Sequence, residues 1–194
     1  MIRTSPLPRR GRGAGRLEPA GPAPGVITTR AWRASDGAVS TEQRVRLSSP
    51  AVPASRAGAI ELGRAYWLEV ERALHGLVRV RQAPDRIEIR LLARGPALIR
   101  LGAPEVTLDD SLVACRYPID GGLLTRIPAG ALTLEQVTAG TVELRSSVAG
   151  FHPRLDARPG FPRWTGVLYP RVQARLHDAV GRRFLARLAG GGAA

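Results

Sequence analysis

Cys115 and Tyr117 are the two residues whose types and spacing best suit a ligand site. They stand two positions apart in the segment 112–120 (LVACRYPID), and Val113 and Ile119 follow the same alternation, so in a strand these four side chains share one face. If that face is buried, the tyrosine supplies an apolar wall with a hydroxyl that can orient a ligand. The alternative is that Cys115 is a small buried hydrophobe and Tyr117 an edge residue of the core.

Three other side chains are candidates for the same cavity. His152 and Trp164 lie in a proline-rich connection, 151–165, which precedes a C-terminal helical pattern. The imidazole is expected near the mouth of a cavity under that helix, and the indole is placed to cover it; the alternative is a solvated loop histidine. Trp67 lies on the apolar face of an earlier predicted helix. The predicted ligand-cavity residues are Trp67, Cys115, Tyr117, His152 and Trp164.

Other residue types exclude much of the known repertoire of catalysis. The sequence contains no lysine, which excludes a phosphate-binding loop lysine, a Schiff base and a lysine general base. The three histidines are far apart in sequence, and the single cysteine excludes an internal disulfide and a multi-cysteine metal site. The pair Asp109–Asp110 is typical of a turn, where aspartate bonds its own backbone. We predict no catalytic residue, no metal ligand and no cofactor.

The net charge of +13 comes entirely from arginine, since all 29 basic residues are Arg. Asn is absent as well as Lys, a composition that a GC-rich genome produces, and this bias weakens a nucleic-acid interpretation. The excess charge is concentrated in residues 1–40 and 150–194, while the middle is nearly neutral. We expect a hydrophobic small molecule as partner and do not expect nucleic acid. Contact of the basic ends with an anionic membrane surface is a further alternative.

Composition divides the chain into three parts. Residues 1–38 form a basic arm rich in Pro, Gly and Arg, which we expect to be disordered because it has little to bury. Residues 39–189 are expected to form one α+β domain, and 190–194 a disordered tail. Residues 1–30 contain no secretory apolar region, and no segment approaches the roughly 20 apolar residues of a membrane span. We therefore expect a cytoplasmic protein.

Hydrophobic periodicity predicts the elements that would position the candidates. A short strand at 41–48 is followed by a helix over 60–75, with Gly76 suited to the position after its end. Alternation with period two then predicts strands at 78–81, 87–91, 97–101, 105–108, 112–117, 123–126, 131–137 and 141–149. Their connections are too short for a crossover helix, so successive strands are expected to be antiparallel neighbours. The apolar stripe of a long helix over 169–188 is suited to cover the buried face of this sheet.

The order strand, helix, antiparallel strands and long C-terminal helix resembles the START/SRPBCC helix-grip superfamily over residues 40–189. The resemblance implies an antiparallel β-meander curved around the C-terminal helix, with one N-terminal helix, and often an apolar ligand between sheet and helix. Two features depart from the superfamily: one helix instead of two between the first strands, and more strand segments after it. A calycin-like β-barrel with a terminal helix is the alternative architecture.

Three functions are compatible with these observations. The first is a protein that binds or carries a hydrophobic small molecule between the sheet and the C-terminal helix, as the resemblance implies. The second is a cyclase- or hydrolase-type enzyme on the same scaffold, with Tyr117 or His152 as the acid–base group. The third is an arginine-rich interaction protein for nucleic acid or an anionic membrane, whose binding should weaken steeply with salt.

Overall fold

Ten strands and two helices make up the part of the chain that the computed structural model describes, residues 23–154 and 178–190. Helix α1 spans Arg56–Ala73, and helix α2 spans residues 178–190. The strands are β1 (Thr28–Arg33), β2 (Val39–Leu47), β3 (Val78–Ala83), β4 (Arg86–Leu91), β5 (Ala97–Gly102), β6 (Glu105–Leu108), β7 (Leu112–Gly121), β8 (Thr125–Ile127), β9 (Ala131–Ala139) and β10 (Thr141–Pro153). The predicted α+β class is confirmed.

The strands form one antiparallel sheet in the order β1-β2-β10-β9-β7-β5-β4-β3. Strand β2, which precedes helix α1, pairs with the last strand, β10. Successive strands are neighbours in β3–β4–β5 and in β9–β10, as predicted, but β6 and β8 lie off this path. Strands β5 and β6 pair with opposite ends of β7, so they are two halves of one path that residues 103–104 interrupt. That interruption accounts for one of the extra strand segments in the sequence.

The alternative of a closed calycin-like barrel is wrong. Strands β1 and β3 stand at the two ends of the sheet, and no pairing joins them within the described residues. The sheet is open and curved, and its inner face is covered by helices instead of by its own continuation.

Strand β1 lies inside the segment that the sequence placed in the basic arm. It pairs along its whole length with β2, from Thr28 opposite Arg44 to Arg33 opposite Val39. All six of its side chains are exposed, so the strand shows no apolar alternation and is held mainly by its backbone pairing with β2. Residues 28–33 of the predicted arm are therefore a strand, and residues 1–22 lie outside the described residues.

Helix α1 begins earlier than its apolar spacing predicted. Ser55 caps it, because the Ser55 hydroxyl oxygen accepts a hydrogen bond from the Gly58 N–H at 3.1 Å. The first turn consists of Arg and small residues, which carry no hydrophobic signal. At the other end the first residue with a left-handed backbone conformation is His75, with φ of 46°, and not Gly76 as predicted. The Gly76 N–H donates a hydrogen bond to the Glu71 carbonyl at 3.4 Å and so ends the helix.

Helix α2 covers the inner face of the sheet, as predicted for the C-terminal segment. Its side chains Val180, Phe184 and Leu185 are buried in the same hydrophobic core as Leu134 and Leu144 of the sheet. The predicted part of this helix over 169–177 lies outside the described residues. A curved antiparallel sheet that holds a C-terminal helix against its inner face is the helix-grip fold, so that expectation is confirmed as a fold.

The outer face of the sheet is charged. Several of its arginines pair with neighbouring carboxylates, Arg90 with Glu88 at 2.8 Å and Arg145 with Glu143.

In residues 23–154 and 178–190, neither helix combines the length and hydropathy that crossing a bilayer requires.

Candidate functional site

Three of the five predicted cavity residues meet in the interior. Cys115 and Tyr117 lie on the buried face of β7, and Trp67 lies on the side of α1 that packs against them. The rings of Trp67 and Tyr117 meet edge to face, with centroids 5.1 Å apart. The face predicted to be buried is indeed the inner one, while Arg116 between them is exposed.

The other two candidates do not join this group in the described part of the chain. His152 is on β10 beside the β1–β2 turn, with its Nε2 atom 3.9 Å from Asp36 Oδ2. Its neighbour Phe151 occupies the core side of the strand, so the imidazole belongs to the opposite side. Trp164 lies outside the described residues.

Two aromatic residues complete the cluster, and the sequence interpretation gave neither a place in the site. Tyr66 of α1 meets Trp67 edge to face at 5.2 Å and Phe184 of α2 at 5.4 Å. The chain of contacts therefore runs from β7 through α1 to α2. The available signal was the spacing of Leu62, Tyr66 and Val70, which share a stripe of α1.

Gly63 provides the space for Tyr117. A Cβ atom at Gly63 would lie 1.9 Å from the Tyr117 hydroxyl oxygen, so only a residue without a side chain fits one turn before Trp67. The tyrosine hydroxyl is thus pressed against the backbone of α1 in the interior. This contact sets the distance between the helix and the sheet.

The ionisable groups of this interior are held in their neutral forms. Burial raises the pKa of Tyr117, and its neighbour Cys115 raises it further. Burial likewise raises the pKa of the Cys115 thiol, despite the opposing effects of Tyr117 and Arg56. Tyr66 also has a pKa raised by burial. At neutral pH these groups can donate and accept hydrogen bonds, but they are poor proton-transfer groups and Cys115 is a poor nucleophile.

The indole Nε1–H of Trp67 is buried and has no hydrogen-bond acceptor among the described residues. The hydroxyl of Tyr117 is near enough for the indole to oppose part of the rise in its pKa. The two groups do not together meet the distance and angle limits of a hydrogen bond. A buried donor without a partner lowers the stability of the fold by about 1–3 kcal/mol, and a hydrogen-bond acceptor placed on this N–H would remove that cost.

A second polar group lies beneath α2. The Gln43 Nε2 atom donates to the backbone carbonyl of Asp178 at 3.1 Å and to its Oδ1 atom at 2.7 Å. The oxygen atoms Gln43 Oε1 and Ser146 Oγ are buried without a partner in the described part of the chain, and the two residues face each other across β2 and β10. Gly181 allows this close approach, since a Cβ there would lie 1.7 Å from Gln43 Oε1. Gln43 therefore fixes the start of the described part of α2 on the sheet.

Asp178 makes the attachment of α2 sensitive to acid. Burial alone would raise the pKa of Asp178, but hydrogen bonds from Arg182, Gln43 and Thr29 together lower it below its ordinary value. A carboxyl group with a lowered folded-state pKa stabilises the fold above its unfolded pKa, and this contribution is lost as pH falls through the folded value. We therefore expect thermal stability to fall below about pH 4, and to fall less in Asp178→Asn.

Circular dichroism melts between about pH 6 and about pH 2 test this expectation. Asp85→Asn is the matched control, because Asp85 is exposed in the β3–β4 turn. Parallel curves of melting temperature against pH for the wild type and Asp178→Asn would contradict it.

No group of three or more His, Cys, Asp or Glu side chains in 23–154 and 178–190 is arranged to hold a metal ion. The polar groups in and next to the aromatic cluster are the hydroxyl groups of Tyr66 and Tyr117, the thiol of Cys115 and the indole of Trp67.

No protein-family model matches the chain, and no curated protein sequence matches it. Among solved structures the chain is similar to Ara h 8.0201, with 12% identity and a TM-score of 0.34, over 83% of this chain and 99% of that chain. It is also similar to norcoclaurine synthase of Thalictrum flavum. A point mutant of that enzyme with a transition-state analogue has 14% identity and a TM-score of 0.36, over 82% of this chain and 96% of that chain. A complex with dopamine and hydroxybenzaldehyde has 13% identity and a TM-score of 0.36, over 89% and 97%. Identities this low transfer no function.

Proposed function

We propose that this protein binds a small, apolar, uncharged molecule that carries a hydrogen-bond acceptor. The molecule lies between the inner face of the sheet and the two helices, with its acceptor oxygen on Trp67 Nε1. The observation that carries the proposal is the buried indole N–H without an acceptor among the described residues. A bound carbonyl or ether oxygen removes that energetic cost.

The surroundings of Trp67 define the chemical class of the ligand. Tyr66, Tyr117 and Phe184 provide aromatic walls, which favour a flat or alicyclic apolar body. Burial raises the pKa values of Tyr117 and Cys115, so the interior disfavours charged forms, and a charged ligand would incur a large desolvation cost there. These features support a neutral ketone, ester or ether over an acid or an amine.

The two alternative functions have less support. The enzyme alternative, with Tyr117 or His152 as the acid–base group, requires at least two polar groups to converge on one substrate. His152 stands beside Asp36 on the opposite side of its strand from the core, and so does not converge with Tyr117. A nucleic-acid surface requires an extended set of unpaired cations, whereas several arginines of the outer face, such as Arg90 and Arg145, are paired with carboxylates.

A pair of isosteric probes tests the proposal. 2-Acetylnaphthalene carries a carbonyl oxygen where 2-isopropenylnaphthalene carries a methylene group. We expect the wild type to bind the ketone about fivefold to about a hundredfold more tightly, which corresponds to one buried hydrogen bond. The affinities are measured by equilibrium dialysis. In Trp67→Phe, which keeps an aromatic ring and removes the donor, the preference for the ketone is expected to disappear.

Trp32→Phe is the matched control, since Trp32 is half exposed on β1. Its ketone preference should equal that of the wild type, and circular dichroism checks that both variants fold. Native mass spectrometry of the purified wild type adds a test without substitutions, in which a retained neutral molecule is expected. Equal affinities of the wild type for the two probes, or a preference that survives in Trp67→Phe, would overturn the proposal.

A further inference from the structure

Four leucines project into solvent at one end of the sheet. Leu77 follows helix α1, Leu91 ends β4, Leu92 begins the β4–β5 hairpin loop, and Leu123 lies between β7 and β8. Their exposed fractions range from 42% to 60%. Single exposed apolar residues need no explanation, but a group of large ones at one place does.

Backbone hydrogen bonds bring these segments together. The Leu92 N–H donates to the Leu77 carbonyl at 2.9 Å, which joins the hairpin loop to the turn after α1. The Leu123 N–H donates to the carbonyl of Ala97, the first residue of β5, at 3.0 Å. The leucines therefore form one feature, the leucine rim, made of Leu77, Leu91, Leu92 and Leu123.

Leu92 occupies the rim in an unfavourable backbone conformation. Its φ of 55° is in the left-handed region, which side chains other than Gly, Asn and Asp rarely adopt. A glycine or asparagine would serve this turn at lower cost. An exposed leucine in such a position contributes little to folding, which makes Leu92 a candidate for contact with something outside the chain.

The segments that carry the rim are mainly positive. Residues 72–81, 89–100 and 121–131 include no Asp or Glu, and the acidic residues directly before them are Glu71, Glu88 and Asp120. Arg79, Arg94 and Arg126 are exposed and form no ion pair with a carboxylate of the described residues. Arg81 donates to the Ala93 carbonyl at 3.3 Å and so lies against the hairpin loop. The rim is thus apolar at its tip and cationic at its flanks.

We propose that the leucine rim binds the surface of an anionic lipid bilayer. The leucines enter the boundary between headgroups and acyl chains, and the arginines contact lipid phosphates. Turns that project from the end of a sheet suit insertion into a surface, whereas a groove would suit a peptide. Leucines at the tip also distinguish this surface from one for nucleic acid, where aromatic or polar groups would accompany the arginines. The proposal does not depend on the proposed ligand.

Vesicle co-sedimentation of the full chain tests the rim. The vesicles are phosphatidylcholine alone or with about 30 mol% phosphatidylglycerol. We expect binding to the anionic vesicles only, and about a tenfold or greater loss of binding in the triple variant Leu77→Ser, Leu92→Ser, Leu123→Ser. Removing Arg79 or Arg94 by substitution with Gln is expected to weaken binding about fivefold each.

Leu108→Ser is the matched control, because Leu108 is similarly exposed but is followed by Asp109 and Asp110. It should bind like the wild type. The basic residues 1–22 are present in every variant, so binding through them alone would be unaffected by the serine substitutions. Unchanged binding of the triple variant, or no binding of the wild type to anionic vesicles, would overturn the proposal. Binding only to an acidic protein would likewise overturn it.

A fluorescent label gives a second measurement that does not depend on loss of binding. Cys115 is buried, so a cysteine introduced by Leu92→Cys can be labelled selectively with a nitrobenzoxadiazole group. On addition of anionic vesicles its emission is expected to shift to shorter wavelength and increase. The same label at Leu108→Cys should not respond. Equal responses at the two positions would contradict insertion of the rim.

Discussion

Replacing Gln136 by alanine is expected to lower the free energy of unfolding by about 3–5 kcal/mol. The Gln136 Oε1 atom accepts hydrogen bonds from the backbone N–H groups of Ala51 and Val52, at 2.7 and 3.0 Å. Its Nε2 atom donates to the Val52 carbonyl at 2.8 Å. Gln136 is buried on β9, so truncation leaves backbone groups of this loop without partners, with no access to water for those of Val52.

The loss of stability in Gln136→Ala should affect more than the loop of Ala51 and Val52, because residues 48–55 connect β2 to α1. Gln136 holds this connection on the inner face of the sheet, and Ser55 then begins the helix that carries Trp67. A loosened connection gives α1 a less defined starting point. We therefore expect Gln136→Ala to weaken ligand binding as well as stability.

Urea unfolding followed by circular dichroism measures the effect on stability. Gln82→Ala is the matched control, since Gln82 is exposed on the edge strand β3 and is expected to change the free energy of unfolding by less than about 0.5 kcal/mol. Gln136→Glu keeps the acceptor and removes the donor, so it is expected to be destabilising and more so as its buried carboxyl ionises. A loss below about 1 kcal/mol in Gln136→Ala would show that the loop finds other partners.

Most of the fold could be predicted from the sequence because alternation is strong in the central strands. From Cys115 to Asp120 apolar residues alternate with Arg116, Pro118 and Asp120, and the structure buries Cys115 and Tyr117 while exposing Arg116. The final strand was predicted only to residue 149, yet β10 continues to Pro153. Gly150, with φ of 68°, lies in an irregularity of β10 where the register with β2 shifts. Because this irregularity breaks the alternation of side chains, the sequence pattern predicts that the strand ends there.

The rest depends on contacts between distant parts of the chain, which a local pattern does not contain. Gln136 is a polar residue in an otherwise apolar alternation, and only its partner loop 84 residues away explains it. Gln43 is matched to Asp178 in the same way, 135 residues away. All six side chains of strand β1 are exposed, so no hydrophobic periodicity in the sequence indicates this strand. The unpaired N–H of Trp67 could not be predicted either, because its burial without an acceptor depends on how distant segments pack together.

Gly63→Ala is expected to cost about 2–3 kcal/mol, although alanine favours a helix by about 1 kcal/mol over glycine. The new Cβ would lie 1.9 Å from the Tyr117 hydroxyl oxygen and 3.0 Å from its Cζ atom. The ring cannot turn aside freely, because its other neighbour is Trp67, with centroids 5.1 Å apart. Either α1 moves away from the sheet or the tyrosine displaces the indole. Gly190→Ala is the matched control, because a Cβ at that helical position meets no atom within 4 Å.

Tyr117→Phe separates this clash from a general effect of the substitution. Removal of the hydroxyl eliminates the 1.9 Å contact but leaves the ring carbon at 3.0 Å, so the relief is partial. In the Tyr117→Phe background, Gly63→Ala is expected to cost at least about 1 kcal/mol less than in the wild type, as measured by a double-mutant cycle in urea. Additive costs would mean that the hydroxyl is not what limits the approach of α1 to β7. The coupling energy thus tests the contact that places Trp67 over Tyr117, and with it the position of the buried indole donor.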